Sequence, residues 1–477
     1  MGGAGASDDD SCGEGERPLE SRADGGCAAR AGSTPTTPAD AVSARRTDDA
    51  PPAGIERRSL LRAALLGAVG LVAGPVLKLG RCRLAARATG GTPVTVSTAA
   101  VDVVLESTVV DMLGLLTLDW SHLYEWQRRP ESFTLADFRQ LETMGVNVFH
   151  PAVETGSADP RAGVDRWMNG WSRLLRAGPC FLGEVGTIND LITLPQQGKI
   201  GVIVGFQNST HFSNRADVRS YFDRGQRLSQ LTYNARNRLG SGCLVRDDSG
   251  LTGFGTAIVS EMNRAGMAID VSHCGERTSL EAIEASTKPV LVTHSNCLAL
   301  SPGQPRCKSD RVIRAMARSG GVMGMTIVRA FVKLGGRPTI DDLIDHFHYA
   351  ARLVGIEHVG LGSDVDPAAV DPKTGRSHPL YAIRGLDPVA RVFQIADGLL
   401  GRGYSTGDVR LVLGDNFRRA LAGTWPEGSW QPMPERNLKR DPFCPAPFPR
   451  GPGGNLGSEA APTPTRPLRI RRPQGPG

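Results

Sequence analysis

Two short apolar runs end in imidazoles: M-A-I-D-V-S-H, closing at His273, and P-V-L-V-T-H-S-N, carrying His294. Histidine is the commonest metal ligand and the side chain whose charge changes nearest neutral pH. Continuous apolar runs are the mark of parallel strands buried on both faces. A side chain at the C-terminal end of such a strand sits where barrel folds keep their chemistry. Two imidazoles delivered in equivalent positions, one βα unit apart, therefore point to half of a metal site. The plainer alternative is two unrelated core histidines, each bonded to backbone.

The elements that must position them alternate along the chain. Apolar runs lie at 107–114, 146–153, 199–207, 227–234, 267–273, 289–296, 320–328 and 358–366. Amphipathic stretches such as L-A-D-F-R-Q-L-E-T-M-G and S-D-R-V-I-R-A-M-A-R-S-G-G separate them, several ending in Gly as helices do. Eight β/α alternations over about 320 residues predict an α/β fold, a (β/α)8 TIM barrel, across 100–425. No G-x-G-x-x-G follows the first run, so a doubly wound dinucleotide fold lacks its fingerprint.

The ends are different material. Residues 1–50 carry no apolar periodicity and are expected to be a disordered extension. Over 51–90, Arg57-Arg58 precedes Leu60-Leu61 and an apolar run to about Leu77, the pattern of a twin-arginine export signal and linker. That run is short of the ~20 residues a membrane span needs, although an uncleaved leader would anchor the protein. The expected location is thus periplasmic or extracellular, reached through the twin-arginine export machinery. The Pro/Gly/Arg-rich stretch 426–477 reads as a second disordered tail. It holds eight Lys/Arg against four Asp/Glu, most of the chain's net +6. The body is thus close to neutral, and no clustered basic face suggests a nucleic-acid partner. Nine cysteines include no C-x-x-C pair. Their connectivity cannot be read, and Cys274, directly after His273, alternates away from it as a core residue.

From about Val109 to Trp425 the chain resembles the membrane (renal) dipeptidases, amidohydrolase-like metal barrels. The likeness is carried by L-T-Y-N-A-R-N (231–237), G-L-T-G-F-G (250–255), E-M-N-R-A-G-M-A-I-D-V-S-H (261–273), P-V-L-V-T-H-S-N (289–296), V-G-L-G-S-D (359–364) and L-G-D-N-F-R-R-A-L (413–421). The resemblance implies two zinc ions at the barrel mouth, bridged by a glutamate and by a water or hydroxide, and a possible homodimer. Carried over by residue, His273 and His294 match the two histidines of one metal site. Asp364 matches the aspartate near the other metal, which also meets the substrate amine. Arg306 matches the arginine that holds the substrate carboxylate, a task suited to a forked guanidinium.

The departures are at the other metal. The first-strand His-x-Asp falls at Leu113 and Leu115, which cannot ligate, and the bridging glutamate falls at Gln207, a neutral amide and a weak ligand. The histidine beside the scissile carbonyl falls at Tyr233, which can donate to an oxyanion but is a poor base at neutral pH. One zinc rather than two is expected, with Asp364 or Gln207 as third ligand; Asp111, His150 or His211 would rescue the second only by leaning in. Two functions follow. One is an exported metallodipeptidase-like hydrolase of a dipeptide or small amide, with Tyr233 and Asp364 as the catalytic pair and Arg306 and Tyr233 binding substrate. The other is a catalytically impaired barrel that binds or matures an exported peptide such as a siderophore precursor. The insertion at 370–386 would lie over the pocket as a lid or run as a plain surface loop.

Overall fold

The computed structural model describes residues 81–84, 94–116, 120–154, 158–366 and 378–426. The extension at 1–50, the Arg57-Arg58 leader and the tail from 427 lie outside these, as do residues 370–377 of the insertion. Part of the segment read as linker is a strand: β1 (Arg81–Leu84) pairs antiparallel with β2 (Val94–Ser97). The V-T-V-S alternation there suits a two-strand ribbon. No described helix is long and apolar enough to cross a membrane.

The body is built of parallel strands. β3 (Val110–Asp111), β4 (Val148–Phe149), β5 (Leu182–Glu184) and β6 (Ile200–Val202) form one sheet in the order β3-β4-β6-β5. β7 (Gly205–Phe206), β8 (Leu228–Gln230), β9 (Ala268–Asp270), β10 (Val290–Ser295), β11 (Met323–Met325) and β12 (Val359–Leu361) form the other, in sequence order. β6 and β7 are successive parts of one stave, three residues apart. At the far seam the Met112 amide donates to the Leu361 carbonyl at 2.9 Å, and Gly114 bridges Val365 in parallel. The eight apolar runs are thus the eight staves of a barrel-type ring, and the last lies beside the first. β5 is an additional short strand that no apolar run announced, since L-G-E is neither long nor alternating.

Burial explains the runs. Every residue of β10, V-L-V-T-H-S, is buried, including His294. Leu-, Ile-, Val- and Phe-rich side chains fill the space between staves and the outer helices. Local signals set the helix ends. The Thr252 hydroxyl accepts from the Gly255 amide to start Gly253–Ala265, and Gly266, at φ +79°, turns the chain into β9. The helix Ile340–Val354 opens with a reciprocal Thr339–Asp342 capping box. A Cβ on Gly362, just past β12, would run into the Thr293 carbonyl of β10, so only glycine fits at that point of the ring.

One buried ion pair fixes the seam. Asp111 and Arg391 are fully buried and 2.8 Å apart. The other lone pairs of Asp111 accept from the Ser363 amide (2.8 Å) and hydroxyl (2.5 Å). Asp111 is therefore a structural carboxylate whose acceptors are engaged, not a rescuing metal ligand.

Candidate active site

His273 follows β9 and His294 lies in β10, so neighbouring staves bring the imidazoles together. Their Nε2 atoms are 3.1 Å apart. The far side of each ring is held. His273 Nδ1 is 2.7 Å from the Asn234 amide oxygen, which can only accept, so Nδ1 carries the proton. His294 Nδ1 is 2.8 Å from the Thr293 hydroxyl. That hydroxyl directs its own proton to the Asp270 carboxylate at 2.7 Å, so it accepts from His294. Asp270 is locked in turn by the Ser272 amide and hydroxyl and by the Thr293 amide.

Both Nε2 lone pairs therefore face each other bare. Two acceptors at 3.1 Å repel unless a cation lies between or beside them. A proton is disfavoured, because burial holds both rings well below the ordinary histidine range, with the nearby Arg306 charge acting the same way. Two nitrogens bound to one zinc at ~2.0–2.1 Å in a tetrahedral set would be about 3.3 Å apart. In spacing, tautomer and neutrality the pair fits two ligands of one metal ion, with outer partners of the kind that orient such ligands.

The rest of the expected ligand set does not assemble. Among the described residues no group of three or more His, Cys, Asp or Glu is placed to hold a metal. Asp364 does not join the pair, which corrects its reading as third ligand. It has a left-handed backbone, φ +53°, and lines a cleft of about 1060 Å³ that neither imidazole lines. Burial raises its carboxyl to about 7, opposed by Arg306 and assisted by Asp111. Gln207 lines the same cleft and donates its side-chain amide to the Ala152 carbonyl at 3.0 Å, which leaves its oxygen as the freer end. Leu113 is wholly buried and Leu115 lines the cleft wall, apolar both.

His150 and His211 do not lean in. His150 Nδ1 bonds the Met112 carbonyl at 2.7 Å, and burial lowers its pKa. His211 bonds Gln226 at 3.1 Å within a nest of Phe206, Phe212 and Tyr221 rings, and burial lowers it to about 4. Both are core histidines. Cys274 is core as read: it is buried, accepts from the Thr232 hydroxyl at 3.2 Å, and burial raises its thiol to about 11.

Tyr233 lies between cleft and imidazoles. Its ring stacks on His273, centroids 4.2 Å apart and planes 23° from parallel, and it also lines the cleft. Burial keeps its phenol protonated, with the Asp364 charge acting in the same direction. Arg306 is placed differently from its expected role. Its terminal nitrogens donate to the Ser272 carbonyl (2.5 Å) and the His294 carbonyl (2.7 Å), and only Nε is without a partner. It is 3 % exposed and not among the cleft-lining residues, so it clamps the two histidine-bearing strand ends. Sequence reasoning missed Asn234, Thr293 and Asp270. Thr293 and Asp270 precede a buried His in V-T-H and I-D-V-S-H, where an oxygen side chain was the available signal; Asn234, next to Tyr233 in T-Y-N, lies 39 residues from His273 and gave no such signal.

A parallel-strand ring with paired imidazoles at its strand ends, beside a large cleft lined by Tyr233 and Asp364, has the layout in which barrel enzymes carry their active sites. The chain belongs to the membrane dipeptidase family (Peptidase family M19), whose model matches residues 141–424. Similar curated proteins include dipeptidase aclJ of Aspergillus oryzae, 28% identical over 52% of this chain and 58% of that protein. An uncharacterized dipeptidase of Schizosaccharomyces pombe is 33% identical over 37% and 44%. The chain thus spans about half the length of the curated relatives it matches. Among solved structures, an amidohydrolase from Pseudomonas aeruginosa is 29% identical with TM-score 0.59, over 69% of this chain and 99% of that one. A Rhodobacter sphaeroides metallopeptidase, liganded with a phosphinate mimic of L-Ala-D-Ala, shares the fold at 19% identity and TM-score 0.56, over 67% and 100%.

Proposed function

We propose that this protein is an exported dipeptidase-type hydrolase that cleaves a dipeptide or related small amide with one zinc ion at His273 and His294. The observation that carries this is the pair of bare, neutral Nε2 atoms 3.1 Å apart beneath Tyr233. Family membership supports the reaction class. The Arg57-Arg58 leader supports export through the twin-arginine machinery to a periplasmic or extracellular location, with membrane anchoring if the leader stays. A zinc at the pair would supply Lewis acidity and a bound water of near-neutral pKa.

The chain's own residues do the rest. Asp270, through Thr293, and Asn234 hold both imidazoles in the tautomer that presents Nε2. Tyr233 donates its phenolic proton toward an oxyanion developing over His273. Asp364, poised near 7, is suited to holding a proton for the leaving amine or an ion pair with the substrate ammonium. Arg306 keeps the two strand ends together, and its charge adds to the burial that keeps the imidazoles unprotonated.

A second reading, a peptide-binding or maturation protein with impaired hydrolysis, is favoured by one specific observation: no third ionisable donor joins the pair. Zinc-loaded full-length protein, assayed against dipeptides including D-residue and dehydro forms, separates the two. Cleavage that disappears in His273→Ala supports the hydrolase. Peptide binding without turnover, also lost in His273→Ala, selects the second reading. The combined variant Leu113→His, Leu115→Asp, Gln207→Glu should raise turnover if only the ligand shell has diverged; no gain means that the cleft has diverged too.

A further inference from the structure

The cleft has a basic wall that the residues near the histidines do not explain. Two helices build it, Trp120–Arg128 and Pro160–Ala177, and both contribute arginines to the lining. Arg166 and Arg173 are seven residues apart, two helical turns, and so share a face. Gln127 sets the distance between the helices. Its side chain lies over Gly170, where a Cβ would crowd its amide, and its carbonyl accepts from Arg173 Nε at 3.1 Å. That bond aims Arg173, whose two terminal nitrogens make no hydrogen bond or ion pair to another described residue. Arg166 is exposed to the cleft and makes no ion pair among the described residues. Arg128 is partly neutralised by Glu125 at 2.9 Å. The acidic members of the lining are Glu154 and Asp364.

The cleft is therefore dipolar, acidic by Glu154 and Asp364 and basic on the helical wall. At the same time Arg306, the residue from which a grip on substrate carboxylate was expected, has both terminal nitrogens on backbone carbonyls. We propose that the grip lies on the helical wall, with Arg166 and Arg173 as a carboxylate subsite, and that the preferred ligands are small peptides whose C-terminal residue is acidic. A terminal Asp or Glu offers two carboxylates to two guanidiniums, and forked donors favour that planar, bidentate geometry. The volume, about 1060 Å³, is at the upper end for a small-molecule site and leaves room for the second carboxylate. This inference rests on the reading of the cleft as a peptide site.

The test is equilibrium binding of two non-hydrolysable probes, phosphinate isosteres of Ala-Ala and Ala-Glu, to zinc-loaded full-length protein. The Ala-Glu probe should bind about tenfold more tightly, as one added charge-assisted contact gives, and the ratio should shrink in high salt. Arg166→Gln with Arg173→Gln should bring the ratio to about one, Arg166→Glu should invert it, and Arg166→Lys should keep part of it. Measuring both probes on each variant makes the ratio independent of partial misfolding. Equal affinity in the unaltered protein, or a preference that survives the double Gln substitution, overturns the arginine subsite. Binding of neither probe overturns the peptide-site reading beneath it.

Discussion

Thr293→Val is the sharpest single perturbation of the imidazole pair, because it removes one oxygen and keeps the shape. That hydroxyl is wholly buried; it donates to Asp270 at 2.7 Å and accepts from His294 Nδ1 at 2.8 Å. Valine loses a hydrogen bond to a charged group and leaves the His294 Nδ1–H without an acceptor, together about 2–4 kcal/mol. For a body of about 300 residues the unfolding entropy is ~0.6 kcal/mol/K, so Tm should fall by about 3–6 °C. The effect on metal should be larger in kind. With no acceptor at Nδ1, the proton can move to Nε2 and satisfy itself on His273 Nε2 across the 3.1 Å gap, closing the site. Loss of an outer partner typically costs 10–100-fold in metal affinity, and that range is expected for zinc competition titrations of Thr293→Val. Thr293→Ser keeps the hydroxyl and should stay within about threefold. Unchanged zinc affinity in the valine variant, with Tm within a degree, would refute the tautomer argument.

Asp364→Asn should make stability less dependent on pH between about 4 and 7. The native carboxyl is raised to about 7 by burial, so between the ordinary carboxylate range and 7 it is protonated when folded and ionised when unfolded. Stability from this group is thus present at low pH and falls as pH rises through 7. The Asn variant lacks that slope. It should gain about 1–2 kcal/mol over the native protein above pH 7, discounted for the open cleft, and nothing below pH 4, as read from denaturant melts at several pH values. Asn tolerates the left-handed backbone at this position, so strain should not mask the effect. At the seam, Asp111→Asn should cost about 3–5 kcal/mol by leaving Arg391 charged and buried without its partner. Asp111→Leu with Arg391→Met should recover much of that loss in a double-mutant cycle.

The barrel was legible because each stave is buried on both faces and so reads as an apolar run, which period and turn residues then separate. β5 was not, since Leu182–Glu184 is three residues with a glycine at its centre. His273 and His294 were legible for the same reason as the staves, as polar ends of apolar strands. What sequence could not supply was direction. Asp364 sits at a left-handed turn and lines the cleft, and no three-member ligand group forms around the imidazole pair among the described residues. Arg306 is eleven residues from Ser295 along a loop, and only the fold shows its guanidinium turned back onto Ser272 and His294. Asn234 and Thr293 looked like ordinary polar residues until the rings beside them had orientations. Arg166 and Arg173 lie in a helix of ordinary amphipathic pattern, and their shared cleft depends on Gln127 from another helix.

The most direct measurement is the zinc stoichiometry of the purified full-length protein, by elemental analysis after equilibration with excess zinc and removal of the free ion. One equivalent, lost in both His273→Ala and His294→Ala, is the expected result. No retained zinc, or one equivalent that persists when both histidines are replaced, would contradict a metal held between these two imidazoles.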